Sequence, residues 1–222
     1  NYKRGESWYS SLFSDAKEND ICGESSTHYT KLPDYPLTIE RMKLQLNRPK
    51  LVYVMRHPID RLISHYVHQW SQNVIKCDIN QAIEQYGELI SYSRYAMQLA
   101  PYFEQFGRDN VLPVFSEAIR HNPQKQLEKV AKFIGYEADV QWYSDNPSQN
   151  VSKERVRKFP GYQFLIESKV MGQLRRSLVP SILRDKIKKK LTMQVRPDID
   201  QKHIEQLTLK FDQDLNKLRD WL

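Results

Sequence analysis

The sequence has 222 residues, a formal net charge of +7, 40% hydrophobic residues and 11% aromatic residues. A chain of this length and composition can bury a hydrophobic core, which excludes intrinsically disordered and collagen-like proteins. Its 2 cysteines exclude a disulfide scaffold, and a mean hydropathy of -0.70 without a long apolar run predicts no transmembrane segment. The first ten residues lack a start methionine and the apolar stretch of a signal peptide, so we expect the chain to begin inside a longer protein.

The positive charge is concentrated towards the carboxyl terminus. Residues 1–150 contain 17 Lys and Arg against 18 Asp and Glu, whereas residues 151–222 contain 17 against 9, a net charge of +8. Such a bias predicts an anionic partner for the second segment, with nucleic acid, a lipid head group, a sulfated or phosphorylated metabolite and a polyanionic glycan as the candidates. Lysines on solvated helices are the alternative.

Short apolar runs alternate with helical patterns along the chain. In chain order we predict a strand at 20–24, a helix at 35–47, a strand at 50–56, helices at 58–76 and 93–106, a strand at 110–115, a helix at 123–134, a surface excursion at 136–160, and helices at 161–191 and 200–220. Strands that alternate with helices of this length predict an α/β fold with a parallel sheet. Because no clear linker divides the chain, we predict a single domain over residues 1–222.

The densest signal lies where the strand at 50–56 meets the next helix. The strand ends in Arg56, and Ser64 follows eight residues later. Ligands bind at the carboxyl ends of parallel strands, where a guanidinium and a hydroxyl can hold one oxyanion such as a phosphate monoester. The alternative is a salt bridge from Arg56 to Asp60, with Ser64 facing solvent.

This stretch resembles a known family. LVYVMRHPIDRLISHY (51–66) is similar to the 3'-phosphate-binding strand and helix of sulfotransferases that use 3'-phosphoadenosine 5'-phosphosulfate (PAPS). The matching residues are Arg56, Pro58, Arg61, Ser64 and Tyr66. The resemblance implies a three-layer, P-loop-NTPase-like fold with a central parallel sheet. It also implies PAPS as the sulfuryl donor, with Arg56 and Ser64 holding its 3'-phosphate.

Two further stretches resemble the glycan-modifying branch of that family, the heparan sulfate sulfotransferases and their bacterial relatives. NYKRGESWYSSLF (1–13) is similar to its Tyr-x-x-Gly-x-x-Trp-Tyr element, and GESSTHY (23–29) to its Glu-Lys-(Ser/Thr)-x-x-Tyr segment. The helix, strand and helix at 93–135 extend the likeness. The resemblance implies an acceptor site that contains Trp8, Glu24, Ser26 and Tyr29. For the aromatic residues, core packing is the alternative.

Two features of the family are missing from these residues. In the family, a Pro-Lys-x-Gly-Thr-Thr type loop holds the phosphosulfate, and a carboxylate is thought to act as general base. Both precede the Tyr-x-x-Gly element there, so we expect the first strand, the loop and the base to lie upstream of Asn1. Ser25 stands where the family has a Lys that faces the reacting group. The type of acceptor and the activity of this chain alone therefore stay open.

The helix at 58–76 also carries two histidines. His68 lies one turn after Ser64 and aligns with a histidine near the reacting centre of N-sulfotransferases. The resemblance implies that its imidazole donates a proton to the leaving oxygen, and a structural helix histidine is the alternative. His65 and His68 lack a third ligand at metal-binding spacing, so no metal is expected.

A basic run at 153–160 (KERVRKFP) resembles a loop that closes over the nucleotide in the glycan branch, although Val156 replaces a glycine. We hypothesise that this run completes the 3'-phosphate site through Arg155, Arg157 or Lys158. A second basic run at 184–190 has two interpretations, a binding surface for an anionic glycan and a solvated helix face.

The leading hypothesis is a PAPS-dependent sulfotransferase that acts on a hydroxyl or amine of a carbohydrate. The alternatives are a small alcohol or polyketide acceptor, and a non-catalytic anion- or nucleotide-binding module of the same fold. A nucleic-acid-binding protein is disfavoured, because the aromatic residues do not interleave with the carboxyl-terminal Lys and Arg. We expect the cytoplasm for a bacterial protein and the Golgi lumen for a eukaryotic glycan enzyme.

Overall fold

A computed structural model places two parallel strands side by side, and it describes residues 2–143, 156–158, 191–193 and 195–222. The strands are β1 (Leu51–Met55) and β2 (Val111–Phe115), and they pair in register, with Leu51 opposite Val111 and Met55 opposite Phe115. The strands predicted at 50–56 and 110–115 are therefore confirmed. Because the two strands point the same way, their carboxyl ends meet at one edge of the sheet.

Helices make up most of the remaining regular structure within the described residues. In chain order they are α1 (Glu6–Ser11), α2 (Thr38–Gln45), α3 (Pro58–Ser71), α4 (Ile79–Gln85), α5 (Glu88–Ser91), α6 (Tyr95–Phe106), α7 (Ser116–His121), α8 (Pro123–Ile134) and α9 (Gln201–Arg219), with 3-10 turns at Tyr2–Arg4 and Arg108–Asn110. Five predicted helices are confirmed as α2, α3, α6, α8 and α9. The four shorter ones were not predicted from the sequence, and the helix predicted at 161–191 lies outside the described residues except for Leu191, which is helical.

The orientation of α3 follows from its first residue and its apolar face. Pro58 occupies the first helical position, where a missing N–H costs nothing and the fixed φ favours a helix. Leu62 and Tyr66, one turn apart, are buried in a core cluster with Ile83 of α4 and Phe211 of α9. This packing fixes the helix that carries the predicted phosphate-binding and proton-donating residues.

A second core cluster lies against the sheet. It contains Met55 of β1, Val111 of β2, Tyr95 and Leu99 of α6, and Leu218 of α9. Both strands and the helix that precedes β2 therefore share one core with the last helix of the chain.

The strand predicted at 20–24 is wrong. These residues have no regular secondary structure, and the side chain of Ile21 is 51% exposed. The Asp20 carboxylate accepts a hydrogen bond from the Lys17 N–H at 2.8 Å, which closes a local turn in place of a strand ladder. With only Ile21 and Cys22 as apolar residues, the segment has too little apolar surface for a buried strand.

The amino terminus of α6 is capped by a residue that is distant in sequence. Asp214 of α9 is 3% exposed, and its carboxylate accepts hydrogen bonds from the N–H groups of Ala96 at 2.7 Å and Met97 at 3.2 Å. Arg94 Nε lies 3.5 Å from Asp214 Oδ1 and offsets the buried charge. The first N–H groups of a helix have no partner within the helix, so this carboxylate satisfies them from outside.

Replacing Asp214 with alanine should destabilise the fold. Asp214→Ala leaves the N–H groups of Ala96 and Met97 buried without acceptors, so we expect the free energy of unfolding to fall by about 3 kcal/mol. Urea denaturation followed by circular dichroism measures the change. Asp212→Ala is the control, because Asp212 is exposed on the same helix. Equal stability of the two variants would contradict the proposed role of the cap.

Candidate functional site

A tyrosine hydroxyl holds the carboxyl end of β1. Arg56 directly follows the strand, and Tyr95 donates its hydroxyl proton to the Arg56 carbonyl oxygen at 2.8 Å. The same hydroxyl oxygen accepts the Arg56 N–H at 3.2 Å. Tyr95 is 2% exposed, and burial raises the pKa of its hydroxyl to about 12. The hydroxyl therefore keeps its proton near neutral pH and fixes the backbone of Arg56.

A second link joins the carboxyl ends of the two strands. The N–H of His57 donates to Glu117 Oε1 at 3.1 Å, and Glu117 lies in the first turn of α7, directly after β2. Burial alone raises the pKa of the Glu117 carboxyl, but hydrogen bonds from backbone N–H groups and the charge of Arg120 bring it below its ordinary value. An ionised carboxylate thus ties the two strand ends together.

The Arg56 guanidinium is half-buried at this edge. Burial is the main cause that lowers its pKa, while Tyr95 and Asp60 act in the opposite direction. Arginine nevertheless stays charged. The alternative prediction paired Arg56 with Asp60, but Asp60 forms an ion pair with Arg196. Within the described residues Arg56 takes part in no ion pair. The edge therefore presents a partly desolvated cation that forms no ion pair with a carboxylate of the described residues, although Asp60 and Glu117 lie near enough to raise its pKa.

Ser64 lies on the second turn of α3 and is half-buried. It is six residues beyond Pro58, which places it about 9 Å along the helix axis. A phosphate in contact with both Arg56 and Ser64 would lie beside the first two turns of α3. The positive end of a helix dipole favours an anion in that position.

The two histidines of α3 have different environments. His68 is exposed, whereas His65 is half-buried and meets the ring of Tyr92 edge-on, with ring centroids 5.3 Å apart. Burial first, and then the charges of Arg61, Lys31 and His68, lower the pKa of His65 to about 3. His65 is therefore neutral near neutral pH. Among the residues that the structure describes, no cluster of His, Cys, Asp and Glu could hold a metal ion.

Two of the predicted acceptor residues lie together. The Tyr29 hydroxyl donates a hydrogen bond to the Glu24 carboxylate, and the charge of Glu24 also raises the pKa of Tyr9, for which burial is the larger cause. Burial first and Glu24 second raise the pKa of Tyr29 itself. From α6, the Tyr102 hydroxyl donates to the Tyr29 carbonyl oxygen. Glu24 and Tyr29 are thereby joined to the helix that also holds Arg56.

The other two predicted acceptor residues make local contacts. The Ser26 hydroxyl oxygen accepts the N–H of His28 at 3.1 Å. Trp8 is half-buried on α1, and the guanidinium of Arg4 lies 4.5 Å from the centroid of its ring. Among the described residues, neither of these two side chains forms a hydrogen bond or a ring contact with Glu24 or Tyr29.

The basic run at 153–160 is described only in part, and Arg155 lies outside the described residues. The N–H of Lys158 donates to the Ser71 carbonyl oxygen at 2.8 Å. The Arg157 guanidinium lies 5.2 Å from the ring centroid of Trp70, within cation–π distance. Both contacts place Arg157 and Lys158 beside the last turn of α3, about 9 Å along the axis from Ser64.

Comparison with known proteins decides the family of the chain. The sequence profile described as "Sulfotransferase domain" matches residues 24–219, which is most of the chain. The chain belongs to the sulfotransferase family. The family predicted from residues 51–66 is therefore confirmed.

Two curated relatives of this sulfotransferase family member are enzymes of Mus musculus. It is 26% identical over 143 residues to heparan sulfate glucosamine 3-O-sulfotransferase 3A1 and 25% identical over 143 residues to heparan sulfate glucosamine 3-O-sulfotransferase 3B1. Each alignment covers 60% of this chain and 36% of the relative. The chain thus spans little more than a third of the length of these relatives.

A solved structure supports the fold. The crystal structure of a sulfotransferase from Alicyclobacillus acidocaldarius superimposes with a TM-score of 0.56, at 21% sequence identity, over 82% of this chain and 74% of that chain. Together with the parallel pairing of β1 and β2, this match confirms the predicted α/β sulfotransferase fold. No helix among the described residues is both long and apolar enough to span a membrane.

Two residues that shape the edge of the sheet in this member of the sulfotransferase family were not predicted from the sequence. Glu117 had a usable signal, because it lies two residues after the end of a predicted strand, where side chains gather in parallel sheets. Tyr95 had none, since nothing in its local pattern separates a tyrosine that holds a strand end from one that only fills the core. Its partner Arg56 is 39 residues away in sequence.

The raised pKa of Tyr95 predicts a loss of stability at high pH. Unfolded tyrosine loses its proton near pH 10, whereas Tyr95 keeps it to about pH 12 in the folded chain, so deprotonation favours unfolding between these values. Between pH 9 and pH 11.5, the wild type should lose about 2 kcal/mol more unfolding free energy than Tyr95→Phe.

Urea denaturation at the two pH values measures this difference. Tyr143→Phe is the control, because the Tyr143 ring is 72% exposed, and it should show the pH dependence of the wild type. If Tyr95→Phe also follows the wild-type curve, Tyr95 does not titrate as its burial implies.

Proposed function

We propose that this protein transfers a sulfuryl group from PAPS to a hydroxyl or amine of a carbohydrate. The observation that carries the proposal is the half-buried Arg56 guanidinium at the carboxyl edge of β1, which forms no ion pair with a described carboxylate. The family supports the reaction. The printed names of the two mouse relatives support a carbohydrate acceptor.

The residues at the sheet edge fit the 3'-phosphate of the donor. PAPS supplies the sulfuryl group, and its S–O bond to the 5'-phosphate breaks as the acceptor oxygen or nitrogen bonds to sulfur. Arg56 offers a guanidinium fork and Ser64 a single hydroxyl donor, which together suit a phosphate monoester. Holding the 3'-phosphate fixes the position of the donor, and positioning contributes much of the catalysis in such group transfers.

The other predicted residues act on the leaving group or on the acceptor. His68, exposed one turn beyond Ser64, donates a hydrogen bond or a proton to the leaving oxygen. The acceptor meets the surface formed by Trp8, Glu24, Ser26 and Tyr29. Glu24 accepts the Tyr29 hydroxyl and keeps lone pairs for an acceptor hydroxyl.

Nucleotide binding tests the donor site. We expect the chain to bind adenosine 3',5'-bisphosphate in isothermal titration calorimetry, with affinity reduced about 100-fold by Arg56→Ala and about tenfold by Ser64→Ala, because each removes a hydrogen bond to a charged group. Arg108→Ala is the control, since Arg108 is exposed at the amino end of β2, opposite to the site. A wild-type chain without affinity for the nucleotide, or equal affinity in Arg56→Ala and Arg108→Ala, would contradict the proposal.

The basic run at 153–160 has its own test. If this run closes over the nucleotide, Arg157→Ala and Lys158→Ala should each weaken binding of the bisphosphate about fivefold or more, through loss of one charge near the phosphate. Arg219→Ala, an exposed arginine at the end of α9, should leave affinity unchanged. Unchanged affinity in both Arg157→Ala and Lys158→Ala would contradict the assignment of this run to the 3'-phosphate site.

A further inference from the structure

A second arginine near the sheet edge is half-buried and forms no ion pair with a described carboxylate. Arg61 lies on the first turn of the helix, and burial is the main cause that lowers the pKa of its guanidinium. Its Nη1 atom is buried and has no hydrogen-bond partner, and within the described residues Arg61 takes part in no ion pair. A buried N–H of a charged group without an acceptor costs more than an ordinary missing hydrogen bond, so its retention calls for an explanation.

Two other basic side chains share the surroundings of Arg61. The Arg61 Cζ and the Lys31 Nζ each lie 5.6 Å from the ring centroid of Tyr92, and the His65 ring meets the same ring edge-on at 5.3 Å. Arg61 and His65 are four residues apart and occupy the same face of α3. The Nε2 atom of His65 is likewise buried without a hydrogen-bond partner. One guanidinium nitrogen and one imidazole nitrogen, both buried without a hydrogen-bond partner, thus lie near Lys31.

The surrounding groups leave this cluster positive. Asp34 is the carboxylate that acts on Lys31, but its effect on the lysine pKa is smaller than the opposing effects of burial and of Arg61. Asp34 also accepts the hydroxyl of Tyr92. The other neighbours with an effect on Arg61 are the phenols of Tyr53 and Tyr95 and the cation of Arg56. The cations of Lys31 and Arg61 and the neutral imidazole of His65 therefore lie near one carboxylate, Asp34, which already accepts a hydrogen bond.

We infer that Lys31, Arg61 and His65 form a second anion site, distinct from Arg56 and Ser64, that binds a carboxylate or sulfate group carried by the acceptor. The assignment of this anion to the acceptor rests on the proposed function. The guanidinium supplies a fork of N–H donors, the ammonium a mobile point charge and the imidazole one further N–H, which together match the three or four lone-pair directions of an oxyanion.

The position of the cluster favours the acceptor as the source of the anion. Lys31 follows Tyr29 by two residues, and the side chain of Thr30 between them hydrogen-bonds to Tyr53. On the other side, Arg61 lies close enough to Arg56 for its pKa to be lowered by that charge. The cluster thus lies between the predicted acceptor residues and the predicted donor site, where an anionic substituent next to the reacting group would reach it.

Anion binding is measured by the imidazole signals of His65 in nitrogen-15 NMR, assigned with His65→Asn. Sodium sulfate and sodium glucuronate should each shift these signals saturably, whereas N-acetylglucosamine, which is neutral, should not. Lys31→Gln should weaken both anions about tenfold, because it removes one charge-assisted hydrogen bond. Lys31→Arg should retain most of the affinity, and Lys202→Gln, an exposed lysine of α9, should retain all of it.

The same variants separate this inference from the proposed function. Lys31→Gln should leave the affinity for adenosine 3',5'-bisphosphate within about twofold of the wild type, and glucuronate should still bind when the bisphosphate is saturating. The second anion site is refuted if neither anion shifts His65, if Lys31→Gln and wild type respond alike, or if the bisphosphate displaces glucuronate. None of these results depends on sulfuryl transfer, and failure to bind the bisphosphate would refute the donor site alone.

Discussion

The hydrogen bonds between the Tyr95 hydroxyl and the backbone of Arg56 are the contact on which the predicted donor site depends. They fix the end of β1 to α6 at a point where the sheet offers no further ladder bond to Arg56. The first turn of α6 is itself capped by Asp214 of α9. Asp214 of α9 therefore holds the start of α6, and Tyr95 of α6 in turn holds the backbone of Arg56 at the sheet edge.

Burial without a paired charge is the feature that the basic residues of the site share. For Arg56, Arg61, Lys31 and His65, desolvation is in each case the largest cause of a lowered pKa. Such burial costs stability, and aromatic rings around Arg61 and Lys31 offset part of that cost. Most cations on a protein surface are solvated and weak binders, whereas a cation that has already lost water binds an anion at a smaller further cost.

The parts that the sequence allowed us to predict are those set by local patterns. The apolar run of β1, Pro58 at the start of α3 and the arginine at the strand end are all read from neighbouring residues. The short apolar run of Ile21 and Cys22 led to the strand predicted at 20–24, but it is too short for a buried strand, and a local turn ends at Asp20 instead. The Asp214 cap joins residues 118 apart, and Lys31 reaches Tyr92 from a different segment, so neither contact has a local signature.

The two anion sites are coupled by the arginines themselves. The charge of Arg56 disfavours the charge of Arg61, and a free-energy term of this kind acts equally in both directions. An anion bound at Arg56 screens that repulsion, so it also lowers the cost of keeping Arg61 charged and buried. This relief is gained only once, however, and two bound anions repel each other, so the electrostatic coupling weakens binding of the second anion. The coupling arises because Arg56, at the end of β1, and Arg61, on the first turn of α3, lie close enough for one charge to affect the pKa of the other.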